Sequence, residues 1–191
     1  MPIESSSETL ADLAARNPAL IDAASGLRTG IRLVKPLGAG GMSTVFLAER
    51  FEPAAGGILS DETPRTLAVK VLQPSTAISL DRYGLKPIEF VMKEVVALQR
   101  LSALRPRPEN VIDYYGAGEL DITVRTRTMR LPWIAVELVD GGNAGLSLTD
   151  RVSGANAGVD PPRALRLVRA IARGLAAVHS VGVIHRDLKP E

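Results

Sequence analysis

The sequence predicts an α+β fold with two lobes, in which a strand-rich part comes first and a helical part follows. Between Ile31 and Val139, short apolar runs alternate with turns rich in glycine and proline, which is typical of antiparallel strands. From Asp160 onwards, apolar residues recur every three or four positions, as on one face of a long helix. Strands first and helices afterwards is the order of an α+β protein.

Composition limits the classes of protein to which the chain can belong. Its 191 residues are 46% hydrophobic, which is enough to bury a sizeable core. The net charge is only +2, with 23 basic residues scattered among 21 acidic ones, which argues against a nucleic-acid partner or a polybasic membrane anchor. The absence of cysteine excludes disulfides and thiolate metal sites. No apolar run approaches the roughly 20 residues of a membrane span, and the polar start is no secretory signal, so we expect a cytoplasmic chain without a membrane segment.

Five strands and one long helix are predicted for the first lobe, after a loose leader at residues 1–28 with a short helix at Ser7–Ala15. The strands are expected in four stretches: 31–49 (two strands around a glycine-rich turn), 66–72, 111–120 and 131–139. An exposed loop should occupy 51–64. Apolar periodicity predicts a helix from Pro87 to about Ala103, with proline in its first turn.

A long helix dominates the second part of the chain. Residues 140–159 are rich in turn-forming residues around one short helix. Asp160 should cap the helix that begins at Pro161 and continues to His179. Its apolar face consists of Ala164, Leu165, Val168, Ile171, Leu175 and Val178.

The turn Gly38–Val45 is a candidate phosphate-binding loop. Glycine has no Cβ, so backbone N–H groups can approach an anion closely and form an anion-binding nest. An ordinary glycine-rich hairpin turn is the alternative. A strand follows where a dinucleotide-binding fold has a helix, and no Gly-Lys-Ser/Thr is present, so neither of those nucleotide-binding motifs fits.

Lys70 lies within the apolar strand 66–72 and needs a carboxylate partner if it is buried. On the helix that follows, Glu94 falls in the middle of the apolar stripe, whereas the competing Glu89 lies on the polar face. A carboxylate in an apolar stripe is costly unless it is paired, so Glu94 is expected to meet Lys70. An ordinary structural ion pair is the alternative interpretation.

The last residues place His185, Arg186 and Asp187 side by side. Taken alone, they could form a capped turn around a buried structural histidine. A second basic group, Arg125, Arg127 and Arg130, could suggest a phosphate-binding stripe, but a solvated hairpin edge is the preferred interpretation.

Taken in order, LGAGGMSTVFLAE, LAVKVL, the helix with Glu94, and HRDLKPE resemble the protein kinase family, specifically bacterial-type serine/threonine kinases. The resemblance covers residues 31–191. It implies a five-stranded antiparallel small lobe with one long helix and hinge at 29–139, and the first helices of a helical large lobe at 140–191. The lysine–glutamate spacing is longer than usual in the family, so residues 73–87 are expected to form an enlarged loop.

The resemblance also implies a role for individual residues. ATP would lie against Leu37, Gly38, Gly40, Gly41, Ser43, Val45, Ala68, Lys70, Glu94, Val136, Glu137 and Val139. Among these, Ser43 stands where the family usually has a third glycine, and Val136 is the expected gatekeeper. The family's catalytic base corresponds to Asp187, and the lysine that stabilises the transferring phosphoryl group corresponds to Lys189.

The implied activity is ATP- and Mg²⁺-dependent phosphorylation of protein serine or threonine, because Lys189 two places after Asp187 is the serine/threonine form. Arg186 implies switching by a phosphate on the activation loop. The family's metal-binding Asn would come one place after Glu191, and no Asp-Phe-Gly is present. We therefore expect a truncated, inactive kinase domain with no metal ligands of its own, whose last helix keeps an exposed apolar face. A non-catalytic nucleotide-binding or regulatory module, and more remotely a small-molecule phosphotransferase, are the alternatives.

Overall fold

The computed structural model of the chain describes residues 10, 13–51, 64–124, 127–141, 147–149 and 160–190. Most of the predicted loop 51–64, the start of the predicted helix Ser7–Ala15 and most of the short helix expected at 140–159 lie outside these residues. The chain divides into two compact units, Met1–Val95 with Tyr114–Leu138, and Val96–Asp113 with Val139–Glu191.

Within the described residues, the first unit contains one antiparallel sheet. Its strands are β1 (Leu20–Asp22), β2 (Ile31–Ala39), β3 (Ser43–Arg50), β4 (Arg65–Leu72), β5 (Tyr114–Val124) and β6 (Arg127–Glu137). Their order across the sheet is β1-β5-β6-β4-β3-β2. Pro36 lies in β2 at an edge of this sheet, where a missing N–H costs no interior ladder bond. The antiparallel small-lobe sheet is confirmed, but it has six strands and not five.

The sixth strand comes from the segment that was expected to be a loose leader. β1 pairs with β5, and a side chain at Gly118 in β5 would collide with the backbone of Ile21. The turn after β1 is held by Asp22, whose Oδ1 accepts hydrogen bonds from the N–H groups of Ala24 (3.1 Å) and Ser25 (2.7 Å). The pKa of the Asp22 carboxyl is lowered from its usual value of 3.8, chiefly because the carboxylate accepts the hydrogen bond from the Ser25 N–H. The sequence pattern did not predict β1, because three residues are too few to show the alternation of apolar and polar residues that indicates a strand.

The N-terminal residues described before β1 also belong to the packed unit. Helix α1 (Leu13–Arg16) contacts β2, and the Arg16 guanidinium reaches the carbonyl of Thr123 in β5 at 3.5 Å. Leu10 and Leu20 are completely buried. Burying a leucine side chain contributes about 1.5–3 kcal/mol, so these residues stabilise the sheet.

Two helices follow β4. Helix α2 (Pro74–Arg82) occupies the stretch that was expected to be an enlarged loop, so that expectation is wrong. It begins with Pro74 and ends in two backbone bonds, Leu85 N–H to the Leu80 carbonyl and Gly84 N–H to the Asp81 carbonyl, with Gly84 at φ +71°. This C-terminal arrangement is a Schellman motif. Helix α3 (Pro87–Ser102) confirms the predicted long helix.

The second unit contains helix α4 (Pro161–Ser180), whose predicted cap is confirmed: Asp160 Oδ1 accepts a hydrogen bond from the N–H of Arg163 at 2.5 Å. Gly174 is buried against Asn110, and a Cβ there would lie 2.7 Å from the Asn110 carbonyl oxygen. On the predicted apolar face, Leu165 and Val168 are exposed by 69% and 63%. Among the described helices, none is long and apolar enough to cross a bilayer.

Candidate functional site

Four of the predicted ATP-binding residues lie on one face of the sheet. Val45 in β3 is directly opposite Lys70 in β4, and Ala68 in β4 is directly opposite Val136 in β6. Because side chains alternate between the faces of a strand, Ala68 and Lys70 point to the same side. The register therefore brings Val45, Ala68, Lys70 and Val136 together.

The two faces of the sheet differ in how well they are covered. On the opposite face, Phe46, Leu67 and Val69 are completely buried. Val45, Ala68, Lys70 and Val136 are each only partly buried. Around Lys70, this face thus presents small apolar side chains beside a cation, on a sheet whose other face is buried at the same positions.

The Lys70–Glu94 ion pair is formed as predicted. Lys70 Nζ lies 3.0 Å from Glu94 Oε1 and 2.8 Å from Oε2, so the ammonium group contacts both carboxylate oxygens. The competing Glu89 pairs instead with Lys86, at 3.5 Å. The lysine and glutamate of the first pair are 41% and 46% exposed, so Glu94 is not buried although the sequence pattern places it in the middle of the apolar stripe of the helix.

The reason for this exposure is the orientation of α3. Its buried residues in the first unit are Val91 and Val95, whereas Phe90 is 44% exposed. The buried side of the helix is therefore displaced from Glu94 towards Val91 and Val95. A half-exposed pair of this kind contributes at most about 1 kcal/mol to stability, so stability does not explain why it is there.

The glycine-rich turn joins β2 and β3 beside this face. Gly40 N–H donates to the carbonyl of Ser43 at 2.9 Å, which closes the turn. A Cβ added at Gly38 or Gly41 would meet no atom within 4 Å, and neither glycine has a positive φ. Neither steric crowding nor backbone conformation within the described structure therefore requires glycine at these two positions.

The remaining predicted contacts for the nucleotide are Leu37, Glu137 and Val139. Leu37 lies in an irregular stretch of β2, where the register shifts between Pro36 and Gly38, and is 48% exposed. Glu137 ends β6 in the first unit, and Val139 begins the following stretch of the second unit.

Gln73 is a residue of this region that the sequence analysis missed. Its side-chain amide donates to the carbonyl of Gly40 at 2.8 Å, and its backbone N–H donates to the carbonyl of Met42 at 2.9 Å. A glutamine immediately after a strand has no recognisable pattern, so only the three-dimensional arrangement reveals it.

In the second unit, the predicted catalytic residues lie in an irregular stretch after α4. His185, Asp187 and Lys189 are exposed, so the alternative of a buried structural histidine is wrong. The N–H of Asp187 donates to His185 Nδ1 at 3.4 Å, and Arg186 has φ +62°. A left-handed backbone at a residue other than glycine is rare and is concentrated at functional sites.

The other basic group has an ordinary role where it is described. Arg130 contacts Asp121 at 3.2 Å and Glu119 at 3.9 Å within the β5–β6 hairpin. These carboxylates raise the pKa of Arg130. A cavity of about 340 Å³ beside them is also lined by Asp22. Asp22 accepts a hydrogen bond from Ser25 Oγ, so these charged groups of the cavity lining already have partners within the protein. Arg125 and the side chain of Arg127 lie outside the described residues.

Comparison with known proteins agrees with this arrangement. The family model of the protein kinase domain matches residues 31–191. The serine/threonine-protein kinase PknJ of Mycobacterium tuberculosis is 32% identical over 167 residues, which cover 87% of this chain and 23% of PknJ. The kinases pkn2 of Myxococcus xanthus and PkaA of Streptomyces coelicolor are each 32% identical, over 84% and 83% of this chain, and 15% and 25% of their own lengths. The chain thus spans a quarter or less of these relatives. These matches show that the chain belongs to the protein kinase family, and its antiparallel sheet and lysine–glutamate pair agree with that assignment.

Proposed function

We propose that the protein transfers the γ-phosphoryl group of ATP to serine or threonine hydroxyls of protein substrates, and that residues 31–139 hold the nucleotide. The observation that carries the proposal is the Lys70–Glu94 pair on the half-covered sheet face, beside glycines that the fold itself does not require. The three serine/threonine kinases named above support it. The cytoplasmic location remains a prediction.

The residues present fit a nucleotide. Val45, Ala68 and Val136 offer small apolar surfaces for the adenine ring, and Val136 would be the gatekeeper. Lys70, held by both oxygens of Glu94, would contact the α- and β-phosphates, because an ammonium group fixed in position binds phosphate as a point charge. The backbone amides of the glycine-rich turn would cover the phosphates.

Two residues of the second unit would act on the reacting groups. The carboxylate of Asp187 would orient the substrate hydroxyl and accept its proton. The ammonium group of Lys189 would offset negative charge on the transferring phosphoryl group. Arg186, beside them, would pair with a phosphate on an activation loop.

Mg²⁺ would supply neutralisation of the phosphate charge in this reaction. Within the described residues, no three carboxylate or imidazole side chains gather as a metal site, and the family's metal-binding Asn and Asp-Phe-Gly are not among residues 1–191. The described residues therefore do not fit a magnesium site of their own. We propose that residues 1–191 by themselves transfer phosphate poorly, since losing one charge-stabilising group typically costs roughly a hundred- to a thousandfold in rate.

A phosphate-transfer assay tests this proposal. Radiolabelled ATP and a protein substrate are incubated with residues 1–191, with a version extended through a full large lobe, and with the Asp187→Asn variant of the extended version. We expect transfer only by the extended version that retains Asp187. Transfer by none of the three would favour a non-catalytic module, and equal transfer by the Asp187→Asn variant would exclude the assigned base.

A further inference from the structure

Gln73 holds the glycine-rich turn at two separate points. Its side-chain amide donates to the carbonyl of Gly40 at 2.8 Å, and its own backbone N–H donates to the carbonyl of Met42 at 2.9 Å. The turn is closed by the bond from Gly40 N–H to the Ser43 carbonyl, also at 2.9 Å. One residue at the end of β4 therefore anchors both halves of the turn.

Formation of helix α2 does not explain this glutamine. Gln73 is the N-cap residue of α2, but its side chain makes no hydrogen bond to the helix, all of whose residues the structure describes. Serine, threonine, aspartate and asparagine are the residues preferred at an N-cap, and glutamine is not among them. The side chain is instead directed back to the turn.

The two bonds fix the direction of two peptide groups. A trans peptide is planar, and its C=O and N–H point in opposite directions. Because the Gly40 carbonyl faces Gln73, the N–H of Gly41 points away from Gln73. For the same reason, the hydrogen bond from Gln73 N–H to the Met42 carbonyl directs the N–H of Ser43 away from Gln73. Space is open at Gly41, where an added Cβ would have no atom within 4 Å.

We propose that Gln73 is a positioning residue that holds the amides of Gly41 and Ser43 ready to bind the phosphates of ATP. Neighbouring N–H groups aimed to one side form an anion-binding nest. Donors that are already oriented need no reorganisation when the anion arrives. The inference rests on the proposed function, and it adds to it a residue that acts on the nucleotide only through the backbone of the turn.

The test compares Gln73→Met with Gln99→Met in the 191-residue chain. Methionine keeps the length of glutamine but cannot donate a hydrogen bond, and Gln99 is an exposed glutamine on α3 that serves as the matched control. Affinities for ATP and for adenosine are measured by calorimetry, with Lys70→Met alongside. Backbone order parameters of Gly41 and Met42 are measured by NMR without nucleotide.

For Gln73→Met we expect a three- to tenfold loss of ATP affinity, in line with one lost hydrogen bond, and unchanged adenosine affinity. The order parameters of Gly41 and Met42 should fall from rigid values of about 0.85 towards 0.6. Gln99→Met should match the wild type in all three measurements. If Gln73→Met proves insoluble, Gln73→Glu takes its place, because a carboxylate has the shape of the amide but no N–H donor. The order parameters of Gly41 and Met42 should fall in this variant in the same way.

The inference is overturned if Gln73→Met binds ATP as Gln99→Met does, if it loses adenosine affinity equally, or if the order parameters of the turn do not change. Failure of the proposed function looks different. In that case the wild type does not bind ATP, or Lys70→Met binds it as well as the wild type, and both proposals fall together. A loss in Lys70→Met without one in Gln73→Met would overturn the role of Gln73 alone.

Discussion

At the scale of single residues, four of the described glycines fall into two groups. Gly118 and Gly174 leave room for the backbones of Ile21 and Asn110, so a side chain at either position would force neighbouring backbone apart. Gly38 and Gly41 have open space around them and ordinary φ values, so the fold does not need them. Glycines of the second kind mark a place where another molecule can approach the backbone.

We expect Gly41→Ala to lower ATP affinity without loss of stability, and Gly118→Ala to lower stability without loss of ATP affinity. Gly41→Ala should leave stability unchanged or raise it by up to about 1 kcal/mol, because alanine reduces the entropy of the unfolded chain. It should nevertheless lower ATP affinity by roughly tenfold or more, equivalent to about 1.4 kcal/mol. Gly118→Ala should destabilise by about 1–3 kcal/mol through overpacking against Ile21, with ATP affinity of the folded fraction retained.

Urea denaturation and calorimetric titration on the same two variants measure both quantities. A Gly41→Ala variant that loses stability while binding ATP normally would show that the glycine is needed for folding and not for a ligand.

At the scale of elements, the sequence predicts what long periodic patterns determine and misses what depends on short or distant contacts. Helices α3 and α4 were predictable because their apolar residues recur over many turns. Helix α2 was missed although it has the two expected signals, Pro74 at its first position and Gly84 just past its end, because the family spacing suggested an insertion. Strand β1 is stabilised by pairing with β5, a contact about 100 residues away that no local pattern encodes.

The packing of the N-terminal segment gives a prediction at this scale. Leu10 and Leu27 both precede the kinase-like part of the sequence. Leu10 is nevertheless completely buried, whereas Leu27 is 69% exposed. Leu10→Ala should destabilise the chain by about 2–5 kcal/mol, because it removes buried apolar contacts and leaves a cavity. Leu27→Ala should change stability by less than about 0.5 kcal/mol.

Urea denaturation of the two leucine variants, followed by circular dichroism, makes the comparison. Equal, small changes for Leu10 and Leu27 would mean that the segment before β2 is a loose leader after all.

At the scale of the whole molecule, the family and the central ion pair followed from sequence, because separate motifs occur in one order along the chain. The pairing of Lys70 with Glu94 and not with Glu89 could be inferred from the helical position of the two acids. The exposure of the pair could not be inferred, because it depends on which side of α3 faces its surroundings. Gln73 escaped for a related reason: its partners, Gly40 and Met42, are joined to it only by the fold.

The central claim, that Lys70 binds the phosphates of a nucleotide, is tested most directly by calorimetric titration of ATP and adenosine into three proteins. These are the wild type, Lys70→Met, and Lys86→Met, which removes the lysine of the exposed Lys86–Glu89 pair and has the same change in charge. A hydrogen bond to a charged group contributes about 1.5–3 kcal/mol, so Lys70→Met should lose at least roughly tenfold in ATP affinity and none for adenosine. Lys86→Met should bind both ligands as the wild type does. Equal losses of ATP affinity in the two variants, or none in Lys70→Met, would contradict the account.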